Sequence, residues 1–427
     1  MNNELLDFIS RCPTAYHAVS HTKNMLKNAG FTELSEGGEW NIEPCRDYFV
    51  QRNGSSLIAF RVPEEDFRGF MMSAAHGDSP SFKIKENAEL AGTEYLRLSV
   101  EKYGGMLCST WLDRPLSAAG RICVRTDDGF ETRLVDLEEP IAVIPNVAIH
   151  MNRNANDGTA YNASVDMIPL IGDGKSGGRF GKMVASAAGV RSEDILSTDL
   201  FLYDPEPGCV WGDFLSAPRL DDLQCVFASL SAFLGADVGE SMPVFCLFDN
   251  EEVGSGTKQG AASTFLADTL EEICLSLGYD RSAYRRKVAN SFLLSCDNAH
   301  AVHPNHTEFA DKNHSVYMNG GIVIKYNANQ RYTSDAVSSA LFRLICEEAG
   351  VPFQYYANRA DMAGGSTLGN IANTQVSLNT VDIGLAQLAM HSAFETAGAR
   401  DTEYMVRALT LYFGKSLNAE NGKIRIE

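Results

Sequence analysis

The residues best suited to chemistry are Asp249-Asn250-Glu251-Glu252-Val253-Gly254-Ser255, which follow the apolar run Met242-Pro243-Val244-Phe245-Cys246-Leu247-Phe248. Seven mostly apolar residues rich in Val and Phe predict a buried strand, broken by Asp249-Asn250. The paired glutamates then stand at its C-terminal end, the edge at which open α/β sheets bind ligands. Two carboxylates crowded there repel each other unless a cation is present or one holds a proton. A metal ligand beside a general base accounts for the pair. So does a solvated pair opening a helix, where negative charge suits the macrodipole.

The pair has company. Residues 69–75 form an apolar run into His76-Gly77-Asp78-Ser79-Pro80, residues 291–296 lead into Asp297-Asn298-Ala299-His300, and residues 385–390 lead into His391. Between the first two of these, Ser216-Ala217-Pro218-Arg219-Leu220 runs into Asp221-Asp222. A His, an Asp, a Glu pair, an Asp and a His thus recur at the ends of separate elements. Zinc accepts carboxylate and imidazole in this mixture, and two zinc ions about 3.5–4 Å apart, bridged by one carboxylate, form a hydrolytic clamp. Each position has a bland reading alone; five together point to metal.

At these residues the chain resembles the M18 family of co-catalytic zinc aminopeptidases, the group of aspartyl aminopeptidase and yeast aminopeptidase I. The matching stretches are residues 76–80, Arg219-Leu220-Asp221-Asp222-Leu223, residues 249–255, Asp297-Asn298-Ala299-His300-Ala301-Val302-His303-Pro304-Asn305, Gly365-Ser366-Thr367 and Gln387-Leu388-Ala389-Met390-His391-Ser392. Ile144-Pro145-Asn146-Val147-Ala148-Ile149-His150 also resembles a segment of the family's second domain. The resemblance implies that His76, Asp221 and Asp297 hold one zinc, and that Asp221 bridges to a second held by Glu252 and His391. Co²⁺ or Mn²⁺ would also suit such donors. It implies Glu251 as the base that takes a proton from the attacking water and passes it to the leaving amine. Asp78 is implied as the carboxylate that accepts the free ring N–H of His76; read alone it is an Asx-type turn residue.

The same resemblance implies a homo-oligomer, with dimers assembled into a tetrahedral dodecamer, in which His150 lends its imidazole to a neighbour's active site. Without it, His150 reads as a structural histidine. The resemblance implies a reaction that releases the N-terminal residue of peptides, with Asp or Glu favoured, and Lys325 matches the position associated with that acidic side chain. Read alone, Lys325 is a strand-edge lysine with its head in solvent. Gly365 and Ser366 offer a small residue and a hydroxyl that could line the substrate pocket, or simply a turn. The chain departs from the family pattern with Asp222 where Asn is frequent and Asn298 where Met is frequent in eukaryotic members. His300 and His303 are near the motif without being expected ligands. The family also implies a cis peptide after Asp221.

These residues need a frame. Residues 2–30 alternate at helical spacing with a break at Pro13, and Leu5, Phe8 and Ile9 mark one apolar face. Short strands are predicted near 48–61 and 69–75. From about residue 85 the texture becomes alternating and β-branched, as in Leu96-Arg97-Leu98-Ser99-Val100, with a hairpin turn at Asp127-Asp128-Gly129. Residues 153–190, rich in Asn, Asp, Gly and Ser, read as loop. Helix–strand alternation returns from Asp221, with helices predicted over 223–230 and over 336–348, the latter with Val337, Leu341, Leu344 and Ile345 at helical spacing. The expected organisation is a catalytic domain over 1–84 and 214–427, interrupted by a β-rich insertion over 85–213. The resemblance turns this into an α/β fold with a zinc-exopeptidase-like mixed sheet sandwiched by helices, and an inserted dimerisation domain.

Composition sets outer limits. A chain of 427 residues exceeds what one core usually serves. A net charge of −19 argues against nucleic acid or an anionic membrane as partner. Ten dispersed cysteines with no Cys-x-x-Cys pair, no basic and apolar leader, and no run of about 18 apolar residues point to a cytoplasmic protein. Two rival functions use the same residues: a zinc-dependent N-acyl amino acid deacylase or carboxypeptidase, and a non-catalytic peptide-binding assembly. A dinuclear phosphatase is disfavoured, because no glycine-rich phosphate cradle or basic cluster accompanies the acids.

Overall fold

The apolar runs that precede the candidate residues become neighbours in space. Met242–Phe248, Phe70–His76, Phe292–Cys296 and Asn379–Gly384 lie side by side and parallel in the middle of a nine-stranded mixed sheet. Phe248 pairs with His76 and Cys296 with Ile383, so the four C-terminal ends share one edge. Ser56–Arg61, Asp47–Arg52 and Thr32–Leu34 extend the sheet beyond Met242–Phe248; Ile322–Tyr326 and Phe353–Ala357 extend it beyond Asn379–Gly384. The first strand outward on each side, Ser56–Arg61 and Ile322–Tyr326, is antiparallel to its inner neighbour. This computed structural model describes residues 1–90, 94–175, 177–420 and 423–427.

Both faces of the sheet are covered, which is why its central strands read as unbroken apolar runs. Met71, Ala75, Phe245 and Leu247 point into a layer closed by the helices Asn2–Ser10, Ala15–Asn28, Leu220–Gly235 and Asp401–Phe413. Their strand neighbours Phe70, Met72, Val244 and Cys246 point the other way, against the helix Phe265–Ser276. Each such buried Met, Phe, Val or Leu side chain stabilises the fold by roughly 1.5–3 kcal/mol. Pro13 lies between the first two helices, whose buried faces include Leu5, Phe8 and Ile9. In the helix Ala336–Ala349, Leu341 and Ile345 are buried, but Val337 and Leu344 are exposed. The buried face there is completed by Ser338, Phe342 and Cys346, so the expected apolar stripe was rotated from the real one.

A second, antiparallel sheet of six strands runs in the order Gly129–Asp136, Ser117–Thr126, Ile195–Tyr203, Ser81–Leu90, Tyr95–Tyr103 and Leu170–Asp173. Its core is separate and includes Phe82, Leu98, Trp111, Ile122 and Leu200. Leu96, Leu98 and Val100 are all buried, as their alternation predicts. The stretch read as loop over 153–190 holds more structure than expected: the strand Leu170–Asp173 and the helix Arg179–Ala188. That helix buries Phe180, Val184 and Ala185, three apolar residues at helical spacing hidden in a Gly- and Ser-rich context. All ten cysteines are free thiols. Among the described residues, no helix is long and apolar enough to cross a membrane.

Candidate metal centre

The candidate residues converge at the shared C-terminal edge. His76 ends its strand, Asp297 follows Cys296, and Glu251-Glu252 form a single 3₁₀ turn after Asn250. Asp221 comes from the head of the buried helix Leu220–Gly235, whose backbone is non-helical at Asp221 and Asp222. The Asp221–Asp222 peptide is cis, as the family pattern implies. His391 follows the short strand Ala386–Leu388, which belongs to a third, five-stranded sheet. Arg219, Asn250, Ser255, Ala389 and His391 all have positive φ. Left-handed backbone costs non-glycine residues roughly 1–3 kcal/mol each and gathers where a site is held against its preference. Gly384 lets the neighbouring strand pass Asp297, because a Cβ there would sit 1.8 Å from the Asp297 carbonyl oxygen.

Asp221 stands at the centre. Its Oδ1 is 3.5 Å from His76 Nε2 and its Oδ2 is 3.4 Å from His391 Nε2, so each oxygen faces a different imidazole. His391 Nε2 is also 3.3 Å from Glu252 Oε2. Two trios of donor atoms, each within 4.8 Å of one another, come from His76, Asp221 and Asp297 and from Asp221, Glu252 and His391. A third joins His76, Glu251 and Glu252. The His76 Nδ1 donates to the main-chain oxygen of Asp78 at 3.0 Å, with the Asp78 carboxylate at 3.4 Å, so the carbonyl is the nearer acceptor. The carboxylate itself accepts the main-chain N–H groups of Glu251 and Glu252, both at 3.2 Å.

The donor set fits divalent cations. Asp221 Oδ1 and Glu252 Oε1 are buried without a hydrogen-bond partner, a costly state for carboxylate oxygens unless a cation takes the lone pairs. Burial pushes Glu251 up to about 8; His76 pulls the other way, and Asp297, Asp78 and Asp221 add to the rise. Burial also raises Glu252 and Asp297. Asp221 differs: burial works to raise it, but His391 and His76 hold its carboxyl below the ordinary range. Burial likewise opposes charge on His391, yet Asp221 takes it up to about 9. A divalent ion would invert this balance, leaving the carboxylates ionised and the imidazoles neutral.

The centre floors a cleft of about 480 Å³ that opens to solvent and is also lined by Lys325, Tyr332, Gly365 and Ser366. Lys325 is buried rather than solvated, with its Nζ 2.8 Å from the Asn298 carbonyl oxygen and 3.3 Å from Asp297 Oδ1. Burial opposes its charge, yet Asp297 and other nearby acidic groups hold its ammonium above the ordinary lysine value. Ser366 Oγ donates to Asn370 at 3.1 Å, and Gly365 has open space where a side chain would stand. His300 lines the cleft; His303 and His150 do not, and His150 is exposed on the segment that follows Ile144.

Two buried acids escaped the sequence reading. Glu395 accepts the main-chain N–H of Asp221 at 3.0 Å and of His391 at 2.7 Å, tying two candidate ligands together. Asp382 accepts from Thr333 N and Oγ1 and from Thr367 Oγ1, joining two loops of the cleft wall. Neither has a motif; their only signal is an acid inside an otherwise apolar stretch.

Comparison with known proteins agrees with this geometry. The family model described as aminopeptidase I zinc metalloprotease (M18) matches residues 8–413. The chain is 44% identical to a probable M18 family aminopeptidase 2 of Clostridium acetobutylicum, over 96% of this chain and 98% of that one. Among solved structures it is similar to a chain of the Ape4 and Nbr1 complex (TM-score 0.93, 35% identity, 96% of this chain and 85% of that one). It is also similar to the mApe1 dodecamer of S. cerevesiae (TM-score 0.84, 30% identity, 96% and 95%).

Proposed function

Because the chain belongs to the M18 family of zinc aminopeptidases and is a metallo-aminopeptidase, we propose that it works with two zinc ions per subunit and prefers peptides that begin with Asp or Glu. One observation carries the two-ion reading: the two donor trios share Asp221, which turns one oxygen to each histidine. His76, Asp221 and Asp297 would hold one ion, and Asp221, Glu252 and His391 the other. When bound, the pair supplies Lewis acidity to the scissile carbonyl and acidifies the attacking water.

The chain's own residues do the rest. Glu251 accepts the water proton at its side-chain carboxylate and returns it to the leaving amine. Its main chain is held by Asp78, which keeps that carboxylate over the cleft. Asp78 also lies against the His76 Nδ1 side, through its main-chain oxygen above all, which leaves Nε2 for metal. The ammonium of Lys325, with Gly365 and Ser366 nearby, receives the acidic side chain of the first substrate residue. A buried ammonium discriminates acidic from neutral side chains more strongly than a solvated one. His150 of a neighbouring subunit completes the site in an assembly of the kind described for mApe1, a dodecamer. The ten free thiols accord with action in a reducing cytoplasm.

The test is a panel of Asp-, Glu-, Leu- and Lys-X peptides beside their N-acetylated forms, with chelation and zinc add-back. Cleavage of free-amine Asp and Glu peptides alone, lost on chelation, is expected. Equal cleavage of Leu and Lys peptides would sink the acidic pocket, and turnover confined to acetylated peptides would sink the requirement for a free amine.

A further inference from the structure

The end of one strand in the six-stranded sheet reaches into the metal centre. Tyr95–Tyr103 pairs with Ser81–Leu90, with Tyr103 beside Ser81, three residues past Asp78. The Tyr103 hydroxyl therefore reaches Asp78 Oδ2 and donates to it at 2.6 Å, while accepting from Asn250 Nδ2 at 2.9 Å. Its ring is fixed edge-on to Phe201, 5.5 Å between centroids. The next residue, Gly104, has φ +76, and a Cβ there would lie 3.1 Å from Glu252 Cβ. The carbonyl oxygen of Gly105 accepts from His391 Nδ1 at 2.5 Å, and Leu107 N–H donates to the His391 carbonyl at 3.0 Å.

We propose that Tyr103, Gly104 and Gly105 are positioning residues of the metal centre, through which the six-stranded sheet sets the geometry of ligands that the nine-stranded and five-stranded sheets carry. Three successive residues act on three different members of the site. Tyr103 anchors the one carboxylate that holds the main chain of both Glu251 and Glu252. Gly104 gives Glu252 room that any side chain would fill. Gly105 keeps the proton of His391 on Nδ1, so that Nε2, facing Asp221 and Glu252, has its lone pair free. His391 follows only a three-residue strand and is the partly exposed histidine of the two, so it has most need of an outside partner. Loss of such a partner typically costs 10- to 100-fold in metal affinity or activity.

The inference rests on the ligand assignment above, and its test separates the two. Zinc-free wild type, Tyr103→Phe, Gly104→Ala and His391→Ala are titrated with Zn²⁺ against a chromophoric chelator, and kcat and KM are measured after loading. Tyr103→Phe is expected to weaken zinc binding or lower kcat by about 10- to 100-fold with KM within about twofold. Gly104→Ala is expected to weaken zinc binding by a similar factor; zinc-free Tyr103→Phe should melt like wild type, whereas zinc-free Gly104→Ala should melt lower, because alanine is strained at φ +76. Wild-type zinc affinity and kcat in both variants, with His391→Ala impaired, would overturn the proposal alone. Wild-type zinc affinity in His391→Ala would overturn the ligand assignment and the proposal with it. A loss in Tyr103→Phe matched by a lower zinc-free melting temperature would make the segment a support of the fold and also overturn it.

Discussion

Lys325→Met separates what the buried lysine does for the protein from what it does for substrate. Methionine replaces most of the stem and removes the ammonium, so Asp297 loses the cation 3.3 Å from its Oδ1 and the Asn298 carbonyl loses a donor at 2.8 Å. Breaking one side of a buried ion pair typically costs about 3–5 kcal/mol, because the other charge is left uncompensated. That is the loss expected in the zinc-free protein. With zinc bound, Asp297 has a second cation, and the loss should shrink towards that of one charge-assisted bond to Asn298, about 1.5–3 kcal/mol. Urea unfolding of zinc-free and zinc-loaded protein, wild type beside variant, reads both differences. The same variant should reduce the kcat/KM preference for Asp- over Leu-peptides by about 10- to 100-fold, since each tenfold is about 1.4 kcal/mol of differential binding. A zinc-free variant within about 1 kcal/mol of wild type would refute the ion-pair argument. Unchanged selectivity would remove Lys325 from substrate recognition.

Glu251→Gln should lower turnover by about 10²- to 10⁴-fold while two zinc ions per subunit are retained, because shape is kept and the proton acceptor is lost; near-native turnover would end its role as base. Gly384→Ala must displace the strand or Asp297, since the new methyl would meet the Asp297 carbonyl at 1.8 Å. It should cost about 3 kcal/mol or more and lower zinc content, so a stable, zinc-replete variant would contradict the packing. Burial lowers His17 from 6.5 to about 4, so between those pH values the unfolded chain binds more protons than the folded one. Its contribution is whole above pH 6.5 and is lost as pH falls towards 4, worth at most about 3 kcal/mol. His17→Gln should flatten the stability profile across that window; an identical acid limb in variant and wild type would contradict it.

Much of the centre was legible because each candidate lies next to a strand or helix end in the chain. Asp-Asn after Phe248, His after Ala75 and Asp after Cys296 mark where apolar runs stop, and although each alone suits a turn, their recurrence at several such stops points to one site. The motif order then tied these residues to one family. The helix Arg179–Ala188 was missed for the converse reason. Its three buried residues are diluted by Gly, Ser and Ala, and only the six-stranded sheet beneath it makes them a face. Val337 and Leu344 show the same limit: spacing says which residues share a helix face, not which of two overlapping faces finds a partner.

By itself, then, the chain determined the apolar strands that lead to the candidate residues, the ends of those strands and the chemical types gathered there, since periodicity and residue type are local properties. Tertiary structure alone decided that Asp221 offers one oxygen to each histidine, that Lys325 is buried against Asp297, and that Glu395 binds the main chain of two candidate ligands across 174 and 4 residues. It also brought Tyr103 to Asp78, by pairing one strand with the next. Hydrogen bonds and charge pairs act over a few ångströms in space, and separation along the chain says little about which distant residues will come within that range.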